Sequence, residues 1–112
     1  MSDKSNKLYK KKDFDIIFKK GKSFNGTFIV LKFIKNNLGV NRFAFIVSKK
    51  VSLKAVVRNK IRRRLSESVK EFKNKLDGLD LVFIALPKIT SKNFSEINEE
   101  VKLLLDKAGL KA

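Results

Sequence analysis

Hydrophobic residues along the chain fall into helix-like and strand-like segments. In residues 10–20 they recur three and four positions apart, which predicts a short helix with Gly21 as its stop. Residues 27–35 and 42–48 are rich in β-branched and aromatic side chains, which predicts two strands. Residues 36–39, Asn-Asn-Leu-Gly, supply a turn between them, so the two strands are predicted to pair as a β-hairpin.

The second half of the chain predicts a long helix, a buried strand and a last helix. From about residue 55 to about residue 75 the chain has the pattern of an amphipathic helix. Its apolar side chains recur at steps of three and four, up to Leu76 just beyond: Val57, Ile61, Leu65, Val69, Phe72 and Leu76. Residues 80–86 predict a buried strand stopped by Pro87, and residues 95–108 predict the last helix. This order of elements predicts the α+β class. We expect a two-layer α/β sandwich with a mainly antiparallel sheet, in which any crossover passes around the long helix.

The length of 112 residues fits one domain. Residues 10–112 are therefore predicted to form a single α+β domain, preceded by a flexible basic N-terminus at residues 1–9. The polar start lacks the apolar stretch of a secretory signal, and no apolar run approaches the roughly 20 residues that cross a bilayer. We expect a soluble, cytoplasmic protein with no membrane partner.

The chain contains neither Cys nor His. This removes disulfides, thiolate nucleophiles, imidazole bases and nearly every arrangement that holds zinc. The carboxylate pairs Asp13/Asp15 and Glu99/Glu100 lie on predicted helices among lysines, where solvated helix surface is the ordinary interpretation. The sequence therefore predicts no catalytic residue and no metal site within the protein.

Positive charge is concentrated in the first part of the chain. The net charge is +16, and residues 1–64 hold 19 Lys and Arg against 3 Asp and Glu, whereas the remainder holds 8 of each kind. Each phosphate that such a surface neutralises releases condensed counterions, so the free energy of binding grows with the number of contacts. Nucleic acid is the leading class of partner.

Residues 49–64 contain nine Lys, Arg or Asn and no acidic residue. At about 100° per residue, the polar side chains fall opposite the apolar stripe of the long helix: Asn59, Arg62, Arg63, Ser66 and Lys70. Arg suits bidentate phosphate contacts, and Asn can bond to phosphate, a 2′-hydroxyl or a base edge. A solvated helix face is the alternative, although such faces usually mix signs. A membrane-surface helix is a second alternative, but the apolar stripe of this helix is expected to pack against the sheet.

At this helix the sequence resembles a known family. Residues 54–63, Lys-Ala-Val-Val-Arg-Asn-Lys-Ile-Arg-Arg, closely resemble the signature helix of the bacterial ribonuclease P protein subunit, and Ser-Lys-Lys at residues 48–50 adds to the resemblance. Residues 13–23 resemble the first helix of that family and its exit, and residues 80–87 resemble its last strand. The resemblance spans nearly the whole chain, and it implies a fold like domain 2 of ribosomal protein S5.

The resemblance implies a protein that joins a catalytic RNA, ribonuclease P RNA, which uses Mg²⁺ to cleave the 5′ leader from precursor tRNA. The RNA is expected to hold most of the Mg²⁺, with no dedicated protein site, and no DNA or obligatory protein partner is implied. The positions matching the family's contact to the catalytic RNA are Lys49, Lys50, Lys54, Arg58, Asn59, Lys60, Arg62 and Arg63. Those matching its leader-binding cleft are Phe14, Phe18, Val30 and Lys32.

Two departures from the family and three alternatives accompany this hypothesis. Lys32 stands where many members have an aromatic residue, and residues 51–54 replace a shorter, glycine-containing connection. The i, i+4 pair Phe14 and Phe18 is also consistent with an ordinary core. A ribosomal or other translation-associated RNA-binding protein could use the same basic helix. A protein-only nuclease would need a carboxylate cluster with a metal ion.

Overall fold

A computed structural model describes residue 8, residues 10–72 and residues 78–110. The elements within these ranges are α1 (Lys11–Lys20), β1 (Lys22–Asn25), β2 (Ile29–Lys35), β3 (Arg42–Ile46), α2 (Ala55–Ser68), β4 (Leu79–Ala85) and α3 (Phe94–Lys107). Short 3-10 turns lie at Lys70–Phe72 and Pro87–Ser91. The fold is therefore α+β, as predicted.

The four strands form one mixed sheet in the order β1-β2-β4-β3. β2 is antiparallel to β1 and β4, whereas β3 is parallel to β4. The predicted hairpin of β2 with β3 is wrong, because β4 lies between them. Apart from Asp80, β4 is entirely apolar and almost wholly buried, which suits a central strand better than an edge. The six residues 36–41 are long enough to span the two strand spacings, about 10 Å, that separate β2 from β3.

The true hairpin joins β1 to β2, and β1 escaped prediction. This strand has the sequence Lys-Ser-Phe-Asn and is largely exposed, so it lacks the apolar alternation that marks a strand. The parallel neighbours β3 and β4 are joined through α2, because parallel strands need a crossover connection. The expectation of a crossover around the long helix is confirmed.

Helices cover both faces of the sheet, so the predicted two-layer arrangement is also wrong. On one face, β2 and β4 pack against α2 and α3 through a large core that includes Leu31, Phe83, Ile61, Leu65, Ile97 and Val101. On the other face, Ile17 of α1 packs with Ala44 and Val82. Successive strand residues point to opposite faces, and the apolar residues of β2 and β4 do not alternate with polar ones, so both faces need cover.

The ends of the helices have local causes. A Cβ on Gly21 would lie 2.5 Å from the carbonyl oxygen of Ile17, so only glycine fits directly after α1. α2 ends at Ser68, whereas the helix was predicted to continue to about residue 75. The Ser68 hydroxyl donates to the carbonyl oxygen of Arg64 at 2.9 Å, and the chain then tightens into a 3-10 turn through Phe72. The rest of the predicted helix, including Leu76, lies outside the described residues.

Leu8 is the one described residue of the predicted N-terminal segment 1–9. It is buried on the α1 face, and its N–H donates to the carbonyl oxygen of Phe43 at 3.0 Å. The proposal of a flexible N-terminus otherwise falls outside the described residues. Across the described ranges, no helix has the length and apolar character needed to span a bilayer.

Candidate nucleic-acid interface

α2 has one face in the core and one in solvent. Ile61 and Leu65 are buried against α3 and the sheet, whereas Asn59, Lys60 and Arg63 are exposed. The helical period places these sets on opposite sides because residues three and four apart share a face. The predicted cationic face is therefore present as a surface.

The connection from β3 to α2 adds three exposed cations to this surface. Lys49 and Lys50 lie in a tight turn in which the N–H of Val51 donates to the carbonyl oxygen of Ser48 at 3.0 Å. The buried side chain of Val51 anchors that turn. Lys54 follows as the N-cap residue of α2. Although residues 51–54 differ from the family pattern, the connection from β3 to α2 presents Lys49, Lys50 and Lys54 as exposed cations before the helix.

Arg58 ties this connection to the helix. Its Nη1 donates to the carbonyl oxygens of Ser52 and Leu53, at 3.0 Å each, and the side chain is half-buried. A guanidinium has five N–H donors, so these two bonds leave donors for a phosphate. Arg58 therefore shapes the loop as well as adding charge.

Arg62 and Asn59 are joined one turn further along α2. Nη2 of Arg62 donates to Oδ1 of Asn59, and Nη1 lies 3.5 Å from the carbonyl oxygen of Val47. These partners hold the guanidinium between the helix and the end of β3. A side chain fixed in this way loses less conformational entropy when it binds an anion.

We call these residues the α2 basic surface: Lys49, Lys50, Lys54, Arg58, Asn59, Lys60, Arg62 and Arg63. Ion pairs among the described residues join Arg42 with Asp13, Arg42 with Asp80 and Lys70 with Glu67, and none of these uses a cation of this surface. Within the part of the chain that the structure describes, its positive charges repel one another without an ion-pair partner. An anionic partner would remove that repulsion.

The four residues of the predicted cleft lie between α1 and its face of the sheet, and we call them the α1 cleft: Phe14, Phe18, Val30 and Lys32. The rings of Phe14 and Phe18 stack with their centroids 6.4 Å apart, and Nζ of Lys32 lies 5.8 Å from the Phe18 centroid. Phe14 is half-buried and packs on the α1-side core, whereas Phe18 is 46% exposed. Val30 and Lys32, two residues apart on β2, share a face and are half-buried.

Two carboxylates interpreted as solvated helix surface are structural. Oδ2 of Asp13 lies 3.3 Å from Nη1 of Arg42. The same guanidinium donates two hydrogen bonds to Asp80, from Nε to Oδ1 at 2.8 Å and from Nη2 to Oδ2 at 2.6 Å. The hydrogen bond to Asp80 raises the pKa of Arg42 above its ordinary value, burial opposes this, and the charges of Asp80 and Asp13 add to it. The arginine thus holds α1 against the sheet.

Glu100 is the second such carboxylate. It is buried, and its Oε2 accepts hydrogen bonds from the N–H groups of Phe28 and Ile29 at 2.7 and 2.9 Å. Its neighbour Glu99 and the α1 residue Asp15 are exposed, as predicted. Within the described residues no three His, Cys, Asp or Glu side chains come together as a metal site would require.

Comparisons with known proteins identify the family of the chain. The family model described as Ribonuclease P matches residues 2–109. The ribonuclease P protein component of Clostridium kluyveri is 42% identical over 107 residues, covering 93% of this chain and 95% of that protein. The chain belongs to the ribonuclease P protein family.

Solved structures of the ribonuclease P protein family have the same fold. The Staphylococcus aureus RNase P protein matches with a TM-score of 0.89 at 30% identity, covering 96% of this chain and 98% of that one. The Thermotoga maritima RNase P protein matches with a TM-score of 0.80 at 31% identity, covering 90% and 96%. Family membership places the chain in tRNA 5′ processing, as an RNA-binding component of a ribonucleoprotein that contains ribonuclease P RNA.

Proposed function

We propose that the chain binds the catalytic RNA of ribonuclease P through the α2 basic surface and grips the 5′ leader of precursor tRNA in the α1 cleft. In this way it promotes Mg²⁺-dependent removal of the leader. The observation that carries the proposal is the α2 basic surface itself, whose cations form no ion pair among the described residues. Phosphate contacts from such cations supply affinity, and their fixed positions supply register.

Arg58, Asn59 and Arg62 are the residues best prepared for this contact. Their side chains are held by hydrogen bonds to the loop and to each other, so their remaining donors point to defined positions. Lys49, Lys50, Lys54, Lys60 and Arg63 surround them as exposed charges. The arrangement suits a folded RNA, whose phosphates are also fixed in space.

The α1 cleft suits a single-stranded leader. Phe18 offers a half-exposed ring for stacking with a base, and Lys32 lies beside it, where its ammonium group can reach a phosphate. Stacking tolerates any base, so the cleft would accept leaders of varied sequence. Phe14 supports Phe18 from the side of the core.

Catalysis would belong to the RNA, with Mg²⁺ bound mainly by RNA. Asp13 and Asp80 form ion pairs with Arg42, and Glu100 accepts hydrogen bonds from backbone N–H groups, so these three carboxylates serve the fold. The protein's own contribution would be to bind and orient RNA. We further propose a cytoplasmic location and no DNA or obligatory protein partner. We also propose a fold like domain 2 of ribosomal protein S5, and the order of three strands followed by α2 and β4 supports it.

Binding to RNA tests the central proposal. Purified chain should bind ribonuclease P RNA more tightly than an unrelated RNA of equal length, and should stimulate cleavage of precursor tRNA at low Mg²⁺ only when that RNA is present. Equal affinity for both RNAs would overturn the proposal, and co-purification with ribosomal RNA would favour a translation-associated role. Mg²⁺-dependent cleavage by RNA-free protein would point to a protein-only nuclease.

A further inference from the structure

Leu53 and Val56 are the most exposed large hydrophobic side chains in the part of the chain that the structure describes. They are 82% and 73% exposed, compared with 61% for Leu103, the next in order. Both lie at the start of α2, three residues apart, and we call them the apolar tip. Single exposed hydrophobic residues are common on protein surfaces, but two neighbours of this exposure within a charged surface call for a physical reason.

The apolar tip lies in the middle of the α2 basic surface. At about 100° per residue, Asn59, Lys60 and Arg63 fall within about 60° of Val56, whereas the buried Leu65 falls opposite it. Lys54 therefore adjoins Leu53 in the chain, and Lys60 and Arg63 share the helix face of Val56.

The described part of the fold leaves these side chains largely unburied. Val56 is β-branched and occupies the first turn of α2, where alanine, lysine or glutamate would favour the helix more. Arg58 meanwhile donates to the carbonyl oxygen of Leu53 at 3.0 Å, which fixes the loop that presents the leucine. The protein thus holds an apolar group in solvent in a defined position, which is the arrangement of a preorganised contact.

The surrounding charge selects the partner. No acidic residue occurs between Asp15 and Glu67, so a second copy of this chain would bring cations against cations. A polyanion is favoured instead, and among polyanions RNA also presents apolar surface. Unpaired nucleotides in loops and bulges expose base faces and ribose that can pack on protein side chains, whereas paired helices present mostly phosphate and hydroxyl groups.

We infer that the apolar tip packs against an unpaired nucleotide of ribonuclease P RNA, while the adjacent cations bind the neighbouring phosphates. This inference rests on the proposed function and deepens it. Phosphate contacts alone would bind any RNA helix, whereas the apolar tip favours a site at which a base is unstacked. Leu53 and Val56 therefore contribute affinity that does not depend on salt, together with selectivity for a particular position in the RNA.

A double variant, Leu53→Ala with Val56→Ala, tests the inference. Both changes keep the charge, and alanine favours the helix, so the melting temperature should not fall. We expect affinity for ribonuclease P RNA to drop about tenfold through lost apolar contact, with an unchanged slope of log affinity against log salt. Leu103→Ala, which removes the same side chain from an exposed position on α3, is the matched control and should bind as the parent does.

Chemical probing of the RNA locates the contact. The parent chain should protect at least one unpaired nucleotide, and the double variant should leave that nucleotide reactive while phosphate protections persist. Unchanged affinity of the double variant would overturn the inference, as would a loss accompanied by a smaller salt slope, which would mean disturbed cations. Self-association of the parent that the double variant abolishes would assign the tip to a protein interface instead. If the parent does not prefer ribonuclease P RNA at all, the proposed function itself fails.

Discussion

The half-buried guanidinium of Arg62 is held in a fixed position on the α2 basic surface, which makes it the residue of choice for measuring phosphate contact. Arg62→Ala should weaken binding to ribonuclease P RNA and lower the slope of log affinity against log salt by about one, because one phosphate contact is lost. Titrations at several salt concentrations measure both effects. Lys107→Ala removes one exposed charge from the end of α3 and serves as the control. A slope unchanged from that of the parent would take Arg62 off the interface.

Phe14 and Phe18 can each be tested as a core residue or as a leader-binding residue, because the structure exposes them differently. Phe18→Ala should weaken binding of precursor tRNA with a long leader while changing the free energy of unfolding by no more than about 0.5 kcal/mol, as for other surface substitutions. Phe14→Ala should cost about 3 kcal/mol of stability, since that ring packs on the α1-side core.

Urea unfolding and leader-binding assays together distinguish the two phenylalanines. Precursor tRNA with a very short leader is the control, because neither variant should affect its binding. Equal loss of stability in both variants would show that Phe18 also belongs to the core.

α1 is attached to the sheet by the buried Ile17, by the half-buried Phe14 and by the ion pairs of Arg42. Arg42→Ala should cost about 3–5 kcal/mol, because it leaves the buried carboxylate of Asp80 without its cation. Lys35→Ala removes an exposed charge at the same end of the sheet and should cost under about 0.5 kcal/mol.

Urea unfolding near neutral pH measures both. The pKa of Arg42 is raised in the folded chain, so its contribution to stability is fully present below the ordinary arginine pKa and is lost only as pH rises through the raised value. Titration of Arg42 itself should therefore add no dependence of stability on pH between 6 and 9. A cost below about 1 kcal/mol for Arg42→Ala would show that other contacts hold α1.

The positions of the helices and most strands could be predicted because the period of apolar residues is a local property. The pairing of the strands could not, because the choice of β4 as the central strand depends on burial across the whole sheet. β1 is short and polar, and it is a strand because it pairs with β2.

The same distinction holds for the candidate site. The cationic face of α2 follows from the helical period and was predictable from the sequence. The contact of Asp13 with Arg42 spans 29 positions, and that of Glu100 with Phe28 spans 72, so neither has a local signal. The exposure of Leu53 depends on the path of the loop that Arg58 fixes.

The whole molecule places its two proposed RNA contacts on opposite faces of one sheet. α1 and its cleft lie on one side, and α2 with its basic surface turned to solvent lies on the other. Most of the cations of these two surfaces belong to the α2 basic surface, whereas the α1 cleft combines Lys32 with two aromatic rings. A protein arranged in this way can hold the catalytic RNA on one side and the leader of its substrate on the other.

This distribution of charge makes the fold sensitive to anions. With a net charge of +16, the compact state suffers self-repulsion, and a divalent anion bound at the α2 basic surface should relieve it. An anion that binds the folded chain alone stabilises it by mass action, so sulfate at about ten times its Kd should raise the melting temperature by about 5 °C. Sodium chloride of equal ionic strength screens the charges without occupying the site and should raise it less.

The variant Arg62→Ala separates binding at this surface from the general salting effect of sulfate. Its melting temperature should rise less with sulfate than that of the parent, whereas Lys107→Ala should respond as the parent does. Equal rises in sulfate and chloride would mean that screening alone is at work, and a melting temperature indifferent to both salts would contradict the argument from self-repulsion. A rise specific to sulfate and dependent on Arg62 would show that the surface binds discrete tetrahedral anions, as contact with RNA phosphates requires.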